Sequence, residues 1–160
     1  MKILGQLVIL FTGLILGMWG VRREEKYISL IEELQLGLSI VENEISFALR
    51  PLPEAFTHAA KSLKAAKVFF LDAARRAKDG ETCLFNVDLL PLRDDEANIL
   101  FEVGIRLGRG LDREQIALIL KAVSRLEESR QTCRERLKRV SPLWRWLSPL
   151  AALLIVLLSC

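Results

Sequence analysis

The sequence predicts an all-α protein: a cytoplasmic bundle of about six helices flanked by N- and C-terminal transmembrane helices. Three observations carry that expectation. All twenty acidic residues and 21 of the 23 basic ones lie between Arg22 and Arg139, so both ends of the 160-residue chain are almost free of charge. Apolar residues in the charged middle recur at alternating spacings of three and four, the signature of helical faces that pair. No stretch alternates apolar and polar with period two, and β-branched residues do not cluster, so no sheet is expected.

The first element is residues 3–21, ILGQLVILFTGLILGMWGV, whose only polar side chains are Gln6 and Thr12. Nineteen helical residues rise about 28 Å, close to the hydrocarbon thickness of a bilayer. A cleaved secretory segment, leaving a secreted helical binding protein, is the rival reading. It lacks an Ala-x-Ala-like cleavage site, with Trp19 where small residues belong and RREEK following at once. The last element, residues 143–160, is LWRWLSPLAALLIVLLSC; Trp144 and Trp146 suit an interfacial belt and Arg145 can snorkel. Residues 22–142 form the domain between these spans. Arg22, Arg23 and Lys26 on one inner flank and Arg130, Arg134, Arg136, Lys138 and Arg139 on the other place it in the cytoplasm by the positive-inside rule. Gly13 and Gly17 make a G-x-x-x-G inside the first span. This motif can pack against Ser148 and Ala152 of the second span or against another copy of the chain.

Within the middle, Tyr27, Ile31, Leu34, Leu38, Val41, Ile45 and Ala48 form an unbroken paired-helix seam, so one helix is expected from residue 3 to 49. ALRPLPEAF (48–56) interrupts it. Pro51 and Pro53 each bias the preceding residue out of helix, and Pro53 with Glu54 suits the first turn of the next one. The stretch therefore reads as a corner, without the spacing of a PxxP ligand. Helices are expected over about 54–64 and 65–78, the latter stopping at Asp79-Gly80. A short helix should follow from Thr82 to Leu90, halted by Pro91. Another begins at Asp94 or Asp95, with Ala97, Leu100, Phe101, Gly104 and Leu107 on one face. Asp112 as N-cap, Gln115 as its capping-box partner, and Leu111 with Ile116 as a staple start the final helix. Its stripe runs through Ile116, Ile119, Val123, Leu126, Cys133, Leu137 and Val140, broken by Arg130.

Groups that carry chemistry are few. His58, the single histidine, lies four residues after Glu54, a helical i,i+4 pair that could also serve a small membrane-bound enzyme as an acid/base dyad. One histidine and the scattered Cys83, Cys133 and Cys160 offer no metal cluster. GIRLGRG (104–110) matches no phosphate-binding pattern. The near-neutral middle has no basic face interleaved with aromatics, so nucleic acid is not an expected partner. No catalytic residue and no cofactor site are expected. Loop tips project from bundles. Candidate contact positions are therefore Arg50, Pro51, Leu52, Pro53 and Glu54 at the corner, and Gly108, Asp112 and Gln115 at the turn before the last helix.

The blocks VENEISFALRPLPEAF, KDGET, LGRGLDREQ and LWRWLSPLAALLIVLL follow one another in this order. With the N-terminal span they resemble the stage III sporulation protein AB family of endospore-forming bacteria, nearly end to end. Two departures stand out: CLFNVDLL occupies the place of an expected tryptophan-bearing helix after DGET, and Leu107-Gly108 stands one residue further from Asp112 than that pattern expects. The resemblance implies a non-enzymatic membrane subunit of a channel built between mother cell and forespore. Such proteins look like the platform subunits of type II secretion, whose cytoplasmic helical domains meet a hexameric secretion ATPase. The implied partners are the other stage III channel subunits, that ATPase and the membrane of the mother cell facing the forespore.

Overall fold

The computed structural model describes the backbone of residues 2–109 and 112–159, and the side chains of 22–109 and 113–138. Among the described residues the chain has five α-helices, one 3-10 turn and no strand. They are α1 (Lys2–Ser46), α2 (Leu52–Lys61), α3 (Lys67–Asp79), α4 (Asp94–Arg106) and α5 (Asp112–Ser159), with the 3-10 turn at Val87–Leu89. The chain divides into two compact units: Ser29–Arg130, and Met1–Ile28 together with Gln131–Cys160.

In the unit Ser29–Arg130, the seam read from the sequence is the core of α1: Ile31, Leu34, Leu38, Val41 and Ile45 are buried. Burial of each such side chain contributes about 1.5–3 kcal/mol. The helix stops at Ser46, three residues short of the expectation, and Ala48 falls outside it, exposed. Along α5, Ile119, Ala122 and Leu126 face the core. The Gln35 amide donates to the Val123 carbonyl at 3.3 Å and to Glu127 at 3.0 Å, while Arg130 reaches Glu32 at 3.1 Å. Rising numbers on α1 meet falling numbers on α5, so these stretches run antiparallel. Arg130 breaks the apolar stripe because it is the polar clasp of this pair. Its hydrogen bond to Glu127, then that to Glu32, raises its pKa above the ordinary arginine value.

Four phenylalanines fill the space beside α1. Phe56 of α2, Phe69 and Phe70 of α3, and Phe85 of the α3–α4 link are all buried, with ring centroids 5.0 to 6.3 Å apart. Gly37 lets the Phe70 ring approach α1; a Cβ there would stand 2.4 Å from the ring. Gly104 does the same for Phe85, and its carbonyl accepts the Leu84 N–H at 3.0 Å. Glu33 ties α1 to the α2–α3 link by accepting the N–H groups of Lys64 at 2.9 Å and Ala66 at 3.0 Å. These are donors near the start of α3, where no side chain of that helix caps them.

Several element readings hold. α2 begins with Pro53 and Glu54 in its first turn, α3 ends on Gly80 at φ 71°, and α4 starts at Asp94. Two readings are corrected. The expected helix at 82–90 is extended chain with a single 3-10 turn, which leaves five α-helices where about six were expected. Burying Leu84 and Phe85 against α4 takes the backbone into a cross-link with Gly104, and a helix could not deliver both contacts. The buried face of α4 keeps Leu100, Gly104 and Leu107 of the expected stripe but adds Glu96 and Val103 and leaves Phe101 exposed. Glu96 hides that stripe from an apolar count. It is a carboxylate on the inner face, and one of its oxygens accepts the Ser129 hydroxyl of α5.

In the other unit, the helical backbone of α5 continues through Pro142 and Pro149 to Ser159. Cys133 is buried. Among the described residues no helix is long and apolar enough to cross a membrane. The side chains of both expected spans, including Gly13, Gly17, Ser148 and Ala152, lie outside the described residues. So does Val140 of the α5 stripe.

Candidate functional site

The corner between α1 and α2 is built outward from a single carboxylate. Glu44, on the last turn of α1 and only slightly exposed, brings its Oε1 to 2.9 Å from His58 Nδ1 of α2. Its Oε2 stands 3.2 Å from the Arg50 guanidinium, close enough to pair though not aligned as a hydrogen bond. The Glu44 carbonyl also takes the Arg50 N–H at 3.1 Å, and the Phe47 N–H goes to Asn43 at 3.0 Å. Pro51 then turns the chain, and its carbonyl receives the N–H groups of Glu54 and Ala55 as α2 begins.

This anchoring holds the backbone in a shape it would not adopt freely. Leu49 has φ of +50°, the only non-glycine positive φ among the described residues. A left-handed leucine costs roughly 1–2 kcal/mol. The same turn points its large apolar side chains at solvent: Phe47 is 82% exposed and Leu49 78%. Strained backbone and exposed large apolar side chains both work against stability, and here the two coincide.

The second loop singled out in the sequence lies beside the first. A Cβ on Gly108, at φ +89°, would stand 3.4 Å from Leu52 Cδ1 and 3.8 Å from Leu84 Cδ1. Corner and turn thus share one end of the unit Ser29–Arg130. Next to them an open groove is lined by Ile105, Arg106, Arg109, Glu114, Gln115 and Leu118. Gln115 is buried to 8% exposure, so it supports the groove from within and is not a projecting contact. Gly110, Leu111 and the Asp112 side chain lie outside the described residues, and with them the capping box and staple.

Of the predicted corner residues, Arg50, Pro51 and Glu54 are exposed, while Leu52 and Pro53 are half-buried. His58 pairs with Glu44, not with Glu54 as its helical spacing suggested. The corner folds α2 back so that the partner arrives from α1, fourteen residues upstream, and the pairing links the two helices. Phe47 and Leu49 escaped the sequence reading, which began the contact surface at Arg50. The available signal was phase: the α1 seam passes through Ile45, and Phe47 lies off it, an aromatic with no place on the buried face. Among the described residues no group of three His, Cys, Asp or Glu side chains is placed to hold a metal.

What the fold and this site define is an all-helical bundle protein whose distinctive surface is an apolar corner at one end. The chain belongs to the stage III sporulation protein AB family, whose model matches residues 2–160. It is thus a sporulation protein by family. No curated protein and no solved structure gives a significant match.

Proposed function

We propose that this protein is a membrane-anchored platform subunit of the channel between mother cell and forespore, and that it docks a secretion-type ATPase. In this reading the stretches 3–21 and 143–160 are two spans in the mother-cell membrane facing the forespore. The bundle between them is cytoplasmic. Gly13 and Gly17 pack the first span against Ser148 and Ala152, against other stage III subunits, or against a second copy. Its work is positional, without a catalytic residue or cofactor.

The observation that carries the docking step is the corner: Phe47 and Leu49 are exposed at a turn that Glu44 braces from behind. A partner covering both side chains would remove large apolar area from water at about 25 cal/mol per Å². The braced turn gives up little further freedom on binding. Arg50 and Glu54 would supply the polar rim, and the neighbouring Gly108 turn would extend the contact. The test is cysteine cross-linking in sporulating cells from Phe47→Cys and Leu49→Cys. Cross-links to the channel ATPase are expected from both positions and not from Val68→Cys, an exposed apolar control on α3. Capture of the ATPase from α3 alone would move the docking face away from the corner. A His58→Gln variant that abolished function while leaving the helices folded and the ATPase bound would favour the small-enzyme alternative.

A further inference from the structure

We infer that the exposed cations flanking the two apolar stretches, Arg22, Arg23 and Lys26 on α1 and Arg136 and Lys138 on α5, form a juxtamembrane zone that binds anionic phospholipid headgroups. The inference rests on the two-span reading above and adds the class of lipid the protein selects. Both runs belong to the same compact unit. All five side chains are exposed, and none has an ion-pair partner among the described residues.

The contrast with the next turn inward is informative. Arg130, also counted among the basic flank in the sequence, is already held by Glu127 and Glu32 and has nothing to offer a lipid. Outward from it the balance changes. Arg22, Arg23, Lys26, Arg134, Arg136 and Lys138 face only Glu24, Glu25 and Glu135 over the stretches 22–26 and 134–138, and of these Glu24 and Arg134 are each engaged within the protein. An excess of positive charge therefore stands where the apolar sequence begins, since Arg22 directly follows residues 3–21. Charges exert their pull within about 8 Å at physiological salt, so only a surface at that depth is served. The anionic surface found there is the headgroup layer, not a soluble acidic partner. Long Lys and Arg side chains keep their stems against apolar surface while the charge reaches phosphate.

The test uses the full chain, reconstituted in phosphatidylcholine bilayers holding a minority of phosphatidylglycerol and then extracted in mild detergent. The readout is the lipid that copurifies. Each surface cation is worth roughly a factor of five in association with an anionic interface. The wild type is expected to retain phosphatidylglycerol several-fold above its share of the bilayer, with the excess falling as salt rises. R22Q/R23Q/K26Q/R136Q/K138Q should retain the two lipids in bilayer proportion. K61Q/K64Q/K67Q removes three exposed cations of α2, α3 and their link, and should keep the enrichment. Unchanged helix content by circular dichroism qualifies each variant. A wild type that resists alkaline carbonate yet shows no enrichment overturns the lipid inference alone. Equal loss in the K61Q/K64Q/K67Q control overturns it too, by showing general charge attraction. Release of the wild type by carbonate overturns the two-span reading itself.

Discussion

Two connections in this protein are made of similar residues and end in opposite environments. The α1–α2 corner offers Phe47 and Leu49, and the α3–α4 link offers Leu84 and Phe85. In the link both side chains are buried, Phe85 lying 5.0 Å from Phe69 and 5.7 Å from Phe56 between ring centroids. At the corner both are exposed. Hydrophobicity does not separate them; reach does. The link is extended, and α4 presents Gly104, where the missing Cβ leaves room for the Phe85 backbone. The corner is bent by Pro51 and pinned by Glu44 to Arg50 and His58, so its apolar side chains are directed away from the core. One loop is used to build the bundle; the other leaves its apolar side chains in solvent.

That contrast can be broken most forcefully at Phe85. Phe85→Ala leaves a cavity beside the Phe56 and Phe69 rings and is expected to cost about 3–5 kcal/mol. Phe47→Ala should stay within about 0.5 kcal/mol of the parent. Urea unfolding of the full chain in detergent, followed by circular dichroism, measures both; similar losses would erase the distinction between the two loops. A middle-sized effect is expected at Gly37. A valine there meets the Phe70 ring at 2.4 Å, and Phe70 is itself hemmed in by Phe56 and Phe69, so the ring has no easy retreat. Overpacking of this kind costs about 1–3 kcal/mol, seen as a lowered urea midpoint. The smallest effect has the opposite sign. Leu49→Gly relieves roughly 1–2 kcal/mol of left-handed strain and loses about 0.5–1 kcal/mol to the greater freedom of the unfolded chain. A net gain near 0.5 kcal/mol, together with weaker capture of the ATPase, would sharpen the view that the corner gives up stability for contact. A net loss in the same unfolding experiment would mean that Leu49 packs against something.

Much of this architecture could be read from the chain, and what could not has identifiable reasons. Ile31, Leu34, Leu38, Val41 and Ile45 announce the α1 face because a long helix repeats one rule many times. Gly80 and Asp94 mark their helix ends through local chemistry alone. The 82–90 segment was misjudged because Phe85 is placed by partners on α2 and α3, which local propensity does not sense. The α4 face was misjudged because Glu96, one of whose oxygens accepts the Ser129 hydroxyl, occupies a core position that pattern reading reserves for apolar residues. At the candidate site, the prolines exposed the corner, and the glycines before the Asp112 cap exposed the Gly108 turn, but not that the two adjoin. Neither the Glu44–His58 pairing nor the backbone of Leu49 leaves a trace in spacing, since each depends on how tightly the corner closes.

The central claim is that Phe47 and Leu49 face outward for a partner and that their side chains contribute nothing to folding. Phe47→Ser with Leu49→Ser in the full chain tests it directly, by measuring the urea unfolding midpoint and spore formation side by side. The account predicts an unfolding midpoint equal to or slightly above that of the parent, with sporulation lost. A clearly lowered midpoint, or normal sporulation in the double variant, would contradict it.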